Sequence, residues 1–332
     1  MARDPSAAHR LRHAQRMNAL LDHIDRHLDH TLELSSLAEH VHFSPFHFHR
    51  VFAAWMGETL GDYLRRRRLD VAALMLAQPE PRSVLEVALA VGFGSSEAFA
   101  RAFKLRFGQT PSAWRLDSPL RWARELARSR EQQARRHRPP AALLSNQDQL
   151  ERNLDQADPG PAADDAGSSC FTSESQMHIS LQQLPPTRVA YLRHIGPYGQ
   201  SVHEFWMNTV LPWRQAQGLE QRACYGIGHD DPSLAAPEQC RYDACVEVEA
   251  DFVPRSPASV QTLPGGRYAV ARFRGTLADF SHAWTELLRG WLPASGLQID
   301  GRPVFEHYPP NAGYDPQTGI FSCELCLPVK AG

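Results

Sequence analysis

Apolar residues recur with helical spacing through the first third of the chain. The first predicted helix carries them on one face, at Met17, Leu20, Leu21, Ile24 and Leu28. Spacing of this i, i+3, i+4, i+7 type indicates amphipathic helices that bury one side. The same spacing continues in short segments to about residue 116. We therefore predict an all-α domain over residues 14–118.

The pattern changes after this domain. Residues 119–176 are rich in Arg, Gln, Ala, Asp, Ser and Pro and have hardly any aromatic side chains, which leaves too little apolar surface for a core. We interpret them as a basic helical tail followed by a flexible, disordered linker. From residue 177 onward alternating strands, such as Arg188–Leu192, precede amphipathic helical stretches. This order predicts a separate α+β domain over residues 177–330.

Each predicted domain contains an internal repeat. In the helical domain, residues 41–59 match residues 91–110. In the α+β domain, a segment that starts at Leu184 recurs 79 positions later, starting at Leu263. We therefore predict a multidomain protein, with two helix-turn-helix units in the first domain and two βαββ units in the second.

The second helix of each helical repeat carries polar side chains close to its start. Helix-turn-helix proteins present these positions to the major groove of DNA. Arg can bind guanine with two hydrogen bonds, Glu can accept one from cytosine, and Phe can contact a thymine methyl group. The candidate DNA-binding residues are Phe46, His49 and Arg50 in the first copy, and Ser95, Ser96, Glu97, Arg101 and Lys104 in the second.

Charge divides the chain at the same place as the apolar pattern. The formal net charge is -2, but residues 1–140 have 22 basic and 15 acidic side chains, whereas residues 141–332 have 13 and 22. The first part is therefore basic, as expected of a surface that binds the phosphates of DNA. We predict phosphate contacts for Lys104, for Arg65 to Arg68 and for the arginines of residues 121–138. For any one of these residues, an ordinary solvated helix face is the alternative.

The second helical repeat contains a dense run of motif residues, namely Gly92–Ser96, Phe99–Lys104, Phe107–Pro111 and Trp114 with Arg115. This run resembles the signature of the AraC/XylS family of transcription regulators. The resemblance implies two helix-turn-helix units joined by a long helix, here Leu60–Leu76. It also implies that the two recognition helices enter successive major grooves of double-stranded DNA.

One acidic residue near the C-terminus lies among apolar neighbours. Alternation along the predicted strand places Val304, Glu306 and Tyr308 on one face. If this face is buried, Glu306 is a carboxylate with no evident cationic partner in the sequence. It would then be protonated, or matched by a ligand with a positive charge or strong hydrogen-bond donors. If the face is exposed, Glu306 is an ordinary surface residue.

Four segments of the predicted α+β domain resemble the GyrI-like effector-binding domain over about residues 177–329, namely His194–Tyr198, Tyr225–Pro232, Arg241–Cys245 and Pro303–Tyr308. The resemblance implies a central cleft for a hydrophobic, often cationic, small organic molecule, with a glutamate at the position of Glu306. Aromatic walls would add stacking and cation–π contacts. The candidate wall residues are Trp206, Tyr225, Trp284 and Tyr308.

Together these features predict a transcription regulator in which an effector in the C-terminal cleft changes how the N-terminal helix-turn-helix domain acts on DNA. The expected partners are double-stranded DNA and a small organic effector, with RNA polymerase as a further candidate. We expect no enzymatic activity. One alternative is a hydrolase that uses Glu306 as a general acid or base, and another is a protein-interaction module fused to a DNA reader.

No cofactor, metal or membrane partner is expected. The four histidines between residues 40 and 49 fall on different helix faces, and Cys323 and Cys326 point to opposite faces of a strand. In neither group do the side chains point to one position, as the ligands of a zinc ion must. No apolar run approaches the roughly 18 residues of a membrane span. The six cysteines are irregularly spaced, which is typical of reduced thiols rather than of a disulfide framework. These features predict a cytoplasmic, nucleoid-associated protein.

Overall fold

The computed structural model describes residues 5–41, 45–78, 82–136, 177–254, 257–310 and 312–331. The predicted flexible linker falls almost entirely on residues 137–176, which lie outside this set. The described residues form a helical N-terminal region and a C-terminal region built on one antiparallel sheet.

The described part of the N-terminal region consists of helices. Their bounds are α1 Pro5–Arg26, α2 Leu34–His40, α3 Pro45–Met56, α4 Leu60–Leu76, α5 Val84–Ala90, α6 Ser96–Phe107 and α7 Pro111–Arg136. The α4 helix starts after Thr59, whose side chain accepts a hydrogen bond from the backbone N–H of Asp62, a standard N-cap. The long connecting helix predicted at Leu60–Leu76 is thus present with the same bounds.

Each helix-turn-helix unit has its own aromatic core. In the first unit, Phe48 and Phe52 of α3 are fully buried, and Phe52 packs edge-on against Tyr63 of α4. In the second unit, Phe99 and Phe103 of α6 are buried at the equivalent positions. Since both cores contain α4 residues, this helix holds the two units together, and the predicted double helix-turn-helix fold is confirmed.

The C-terminal region contains a nine-stranded antiparallel sheet. Its strands are β1 Ile179–Leu184, β2 Thr187–Ile195, β3 Cys224–Gly228, β4 Arg241–Glu247, β5 Ser259–Leu263, β6 Gly266–Gly275, β7 Leu297–Ile299, β8 Phe305–Tyr308 and β9 Phe321–Ala331. The strand order is β1-β6-β9-β8-β3-β4-β2-β5, and β7 pairs with β9. The predicted α+β class is confirmed.

An additional strand precedes each predicted βαββ unit, and the two units exchange these strands. The β1 strand precedes β2 in sequence but pairs with β6, while β5 precedes β6 but pairs with β2. Each unit therefore supplies the edge strand of the other. This exchange ties the two repeats into one sheet.

A broken helix covers the sheet in each repeat. In the first copy, α8 Gln200–Phe205 passes through a π-helical segment, Trp206–Val210, into α9 Leu211–Ala216. In the second, α10 Leu277–Thr285 passes through a second π-helical segment, Glu286–Trp291, into α11 Leu292–Ala294. Such π segments are frequent at functional sites. Among the described residues, no helix is long and apolar enough to cross a bilayer.

Candidate DNA-binding surface and ligand cleft

The second helix of each helical unit presents most of its predicted DNA-binding side chains to solvent. His49 and Arg50 are exposed on α3, and Glu97, Arg101 and Lys104 are exposed on α6. The two helices are built on equivalent aromatic cores, so these side chains occupy matching places in the two units. The arrangement gives two similar polar surfaces, each of which could enter a major groove.

Ser95 also has a structural role at the start of α6. Its hydroxyl oxygen accepts a hydrogen bond from the backbone N–H of Ala98 at 3.2 Å, which caps the helix. Ser96 donates to Glu97 at 3.3 Å. Hydrogen bonds from the Glu97 backbone amide and from both serines lower the pKa of Glu97, so the side chain is an ionised acceptor. The side chain of Phe46 lies outside the described residues.

The phosphate contacts predicted for Arg66, Arg67 and Arg68 are wrong. Arg66 is buried against Glu58, with an Nη2–Oε1 distance of 2.7 Å. Arg67 is buried in ion pairs with carboxylates of both domains, and Arg68 donates to two backbone carbonyl oxygens after α1. Only Arg65 of this run is exposed. The acceptors of Arg67 and Arg68 come from distant parts of the chain, which the local sequence does not reveal.

Part of the basic tail is also engaged within the protein. Residues 111–136 form one helix, α7. The Arg121 guanidinium lies 3.6 Å from the ring centroid of Trp114, and Arg130 pairs with Glu286 of the sheet domain at 2.5 Å. The Arg121 contact lies within α7 itself, whereas the Arg130 ion pair helps to fix α7 against the sheet domain.

A cleft of about 1390 Å³ lies between the broken helices and one face of the sheet, larger than the usual range for a small-molecule site. Glu306 of β8 is buried in its wall. Its Oε2 accepts hydrogen bonds from the hydroxyls of Tyr242 at 2.6 Å and Tyr308 at 3.2 Å. Trp206 donates to the Tyr242 hydroxyl oxygen at 3.2 Å. The cleft thus surrounds one carboxyl group with aromatic side chains.

The carboxyl group of Glu306 is perturbed by this environment. Burial raises the pKa of Glu306 to about 6, although hydrogen bonds from Tyr242, Tyr308 and Trp284 act in the opposite direction. The group therefore changes its charge close to neutral pH. A cationic ligand beside it would favour the ionised form.

A buried ion-pair network joins the helical region to the sheet. Arg241 is fully buried; it donates to Asp25 of α1 at 2.7 Å, to the Tyr63 hydroxyl at 2.8 Å and to Asp230 at 2.9 Å. Arg67 of α4 donates to the other Asp230 oxygen at 2.6 Å. Burial opposes the charge on Asp25, but Arg241 and Arg67 together hold the pKa of Asp25 well below its ordinary value.

A second set of contacts extends this network along β2 and β4. Arg193 donates to Asp22 of α1 at 2.7 Å and to Asp243 of β4 at 2.6 Å. The Tyr191 hydroxyl donates to the other oxygen of Asp22 at 2.6 Å. We call the two sets together the docking network; its members are Asp22, Asp25, Tyr63, Arg67, Tyr191, Arg193, Asp230, Arg241 and Asp243.

Comparison with known proteins identifies the family of each region. A GyrI-like small molecule binding domain matches residues 177–330, and a helix-turn-helix domain matches residues 37–117. The transcriptional regulator Rob of Salmonella typhimurium is 36% identical over 324 residues, which cover 94% of this chain and 96% of Rob. The chain belongs to the AraC-type transcription regulators with a GyrI-like domain.

Two shorter relatives match parts of this AraC-type regulator. The regulatory protein SoxS of Salmonella typhimurium is 35% identical over 31% of this chain and 95% of its own length. A DNA gyrase inhibitor of Serratia proteamaculans is 31% identical over 47% of this chain and the whole of its own length. Both family resemblances noted in the sequence are thus confirmed.

Four of the five predicted effector-binding residues of the GyrI-like domain line the cleft, namely Trp206, Trp284, Glu306 and Tyr308. The prediction for Tyr225 is wrong. Its ring stacks on His307 at 5.0 Å between centroids and meets Phe305 edge-on at 5.8 Å, on the opposite face of the sheet. Since strand residues alternate between faces, Cys224 and Gly226 line the cleft instead.

Sequence reasoning missed Tyr242 and Gly226. Tyr242 of β4 and Glu306 of β8 lie on either side of β3, and they meet because Gly226 has no side chain between them. A Cβ at position 226 would lie 1.9 Å from the Tyr242 hydroxyl and 2.0 Å from Glu306 Oε2. The glycine at the second position of Tyr225-Gly226-Ile227-Gly228 was the available signal, because a glycine in a strand often marks a close approach.

Proposed function

We propose that the cleft of this regulator binds a hydrophobic or cationic effector through Glu306, and that the bound effector changes the binding of α3 and α6 to DNA. The observation that carries the proposal is the buried Glu306 carboxyl, held by tyrosine hydroxyls in an aromatic cleft. A positive group placed there would compensate a charge that burial disfavours. Trp206, Trp284 and Tyr308 would contact the apolar part of the effector.

The surroundings of Glu306 favour binding over catalysis. Its hydrogen-bond donors are the hydroxyls of Tyr242 and Tyr308 and the Trp284 side chain, and none of these is an evident second acid or base for hydrolysis. We therefore propose that the protein is not an enzyme. The hydrolase alternative would be supported by turnover of an electrophile that is abolished in Glu306→Gln.

The proposed charge pairing predicts pH-dependent effector binding. Octyltrimethylammonium, a small apolar cation, should bind the wild-type protein with a dissociation constant that is steady above about pH 7. Below the Glu306 pKa of about 6, the affinity should fall about tenfold per pH unit, because binding then requires loss of a proton. Titration calorimetry between pH 5 and pH 8 measures this profile.

Two controls isolate the role of Glu306 in this profile. Glu306→Gln should bind the cation roughly 10- to 100-fold more weakly at pH 8, since it loses a charged partner, and its affinity should not vary with pH. The neutral ligand 1-octanol should not weaken below pH 6 with the wild-type protein. A cation affinity that is constant from pH 5 to pH 8 in the wild type would contradict the assignment.

For DNA, we predict that Arg50 reads a base and that Lys104 contacts a phosphate. Arg50→Ala should reduce discrimination at one base position by about 1–3 kcal/mol and leave the other positions nearly unchanged. Lys104→Ala should weaken binding to all sequences alike. It should also reduce the number of counterions released on binding, measured from the salt dependence of the affinity, by about one. Binding to a randomised operator library at two salt concentrations distinguishes the two effects.

The exposed Arg65 of α4 is a matched control for Arg50→Ala, because it lies outside both recognition helices. Arg65→Ala should leave base discrimination unchanged. A uniform loss of affinity from Arg50→Ala would assign Arg50 to the phosphates instead. His49, Ser95, Ser96, Glu97 and Arg101, with Phe46, complete the proposed DNA-contacting set.

DNA as a partner also determines where the protein would work. We propose that it acts in the cytoplasm, at the nucleoid. RNA polymerase is a proposed further partner, because a transcription regulator acts through polymerase recruitment or obstruction. Co-purification of polymerase that does not depend on an effector would favour the alternative of a protein-interaction module.

A further inference from the structure

The cleft is not closed by the GyrI-like domain alone. Its lining includes Leu74 and Met75 from the C-terminal half of α4, together with Trp122 and Glu125 of α7. These four residues belong to the helical N-terminal region. The same cavity that contains Glu306 therefore reaches the helix that connects the two helix-turn-helix units.

The wall formed by α4 has features expected of a ligand-contacting surface. Leu74 is a large apolar side chain that remains 39% exposed, although the neighbouring Ala73 and Leu76 are buried in the core of the second helical unit. An adjoining cavity of about 760 Å³ between α4, α7 and α10 also includes Leu74 and Trp122 in its lining. The apolar surface of Leu74 thus faces open space that continues into the cleft.

An arginine of the sheet domain fixes α7 at this end of the cleft. The Arg289 guanidinium lies 4.3 Å from the ring centroid of Trp122, 3.3 Å from Glu125 Oε2 and 3.8 Å from Asp231 Oδ2. Arg289 belongs to the second π segment, whose helix also forms a wall of the cleft. The two domains therefore meet at the cleft itself, and not only at the other residues of the docking network.

The opposite side of α4 packs on the DNA-binding helix α6. Leu69, Ala73 and Leu76 share a buried core with Phe99 and Phe103 of α6. A ligand that contacts Leu74 and Met75 would therefore touch a helix that is only one side-chain layer away from α6. Packed helices transmit such contacts because the interior is dense.

We propose that the effector site is shared between the two domains, with the C-terminal half of α4 as its outer wall. The ligand is an elongated amphiphilic cation, whose charged group lies at Glu306 and whose apolar chain extends to Leu74 and Met75. This inference rests on the proposed effector function of Glu306 and adds to it the shape of the ligand and its direct contact with the DNA-binding domain.

A homologous series of alkyltrimethylammonium ions tests the shared site in the full-length protein. Affinity should rise by roughly fourfold per methylene as the chain lengthens from butyl to dodecyl, since each buried methylene contributes a similar amount. Leu74→Ser should weaken dodecyltrimethylammonium binding by about tenfold and leave butyltrimethylammonium unchanged, because the short chain does not reach α4. Met75→Gln should show the same selectivity, and serves as the second variant if Leu74→Ser unfolds.

Leu89→Ser on α5 is the matched control, since Leu89 is an exposed leucine outside the cleft lining, and it should leave both affinities unchanged. If Glu306→Gln weakens both cations but Leu74→Ser and Met75→Gln weaken neither, the shared wall is overturned while the effector function stands. Equal weakening of both cations by Leu74→Ser also overturns the shared wall. If no cation of the series binds the wild-type protein, both the proposed effector function and this inference are overturned.

Discussion

Arg241→Met should destabilise the folded protein by about 3–5 kcal/mol, the range for removing one partner of a buried ion pair. The substitution keeps an unbranched side chain but leaves Asp25 and Asp230 without the guanidinium that now lies 2.7 Å and 2.9 Å from them. The Tyr63 hydroxyl would also lose its contact with Arg241. Chemical denaturation followed by tryptophan fluorescence and circular dichroism measures the change.

Arg274→Met is the matched control, because Arg274 is an exposed arginine on β6 of the same sheet. Its effect should stay within about 0.5 kcal/mol. The companion variant Asp25→Asn should also lower the free energy of unfolding. Because both substitutions remove the same ion pair, the double variant should lose less than the sum of the two single losses. If Arg241→Met costs no more than Arg274→Met, the docking network does not hold the domains together.

Gly226→Ala should abolish most of the effector affinity, by roughly 10- to 100-fold for a cationic probe, because it separates Tyr242 from Glu306. The new Cβ would lie about 2 Å from both polar atoms, and both side chains are buried, so one of them must move. Overpacking of this kind also costs about 1–3 kcal/mol of stability. Calorimetric titration with octyltrimethylammonium, alongside denaturation, measures both effects.

Gly228→Ala provides an internal comparison on the same strand. The nearest atom to a Cβ at that position is the Tyr198 hydroxyl at 3.3 Å, so only a small adjustment is needed. Its effect on effector affinity should be no more than a few-fold. Equal losses from the two alanine variants would show that the gap at Gly226 has no special role in the contact between Tyr242 and Glu306.

The parts that sequence could predict are those governed by local patterns. The bounds of α4, the buried faces of α3 and α6, and the repeated units follow from apolar spacing and from motifs that lie within one segment. The cleft position of Glu306 follows from strand alternation once its face is known to be buried. The family resemblance then supplied the expected cleft, and the structure contains one.

The parts that sequence could not predict depend on distant residues. Arg67 looked like a phosphate ligand beside Arg65, but its partners Asp25 and Asp230 lie 42 and 163 positions away. The prediction for Tyr225 is wrong because Gly226 and Gly228, rather than the aromatic ring, face the cleft. The contribution of Leu74 to the cleft arises only from the packing of one domain against the other.

The cleft and the docking network meet on neighbouring residues of β4. On β4, Tyr242 faces the cleft, while Arg241 and Asp243 on either side of it face the helical domain. A ligand that moves Tyr242 therefore acts on a strand that carries the ion pairs to α1 and α4. An effector can shift DNA binding only if it binds two arrangements of the protein with different affinity.

The most direct test of the central claim is the DNA dissociation constant of the full-length protein with and without saturating dodecyltrimethylammonium, at constant salt concentration. We predict a change of about 5- to 150-fold, the usual range of coupling between two sites, and the loss of this change in Glu306→Gln. An identical dissociation constant in the two conditions, with the cation shown to be bound, would contradict it.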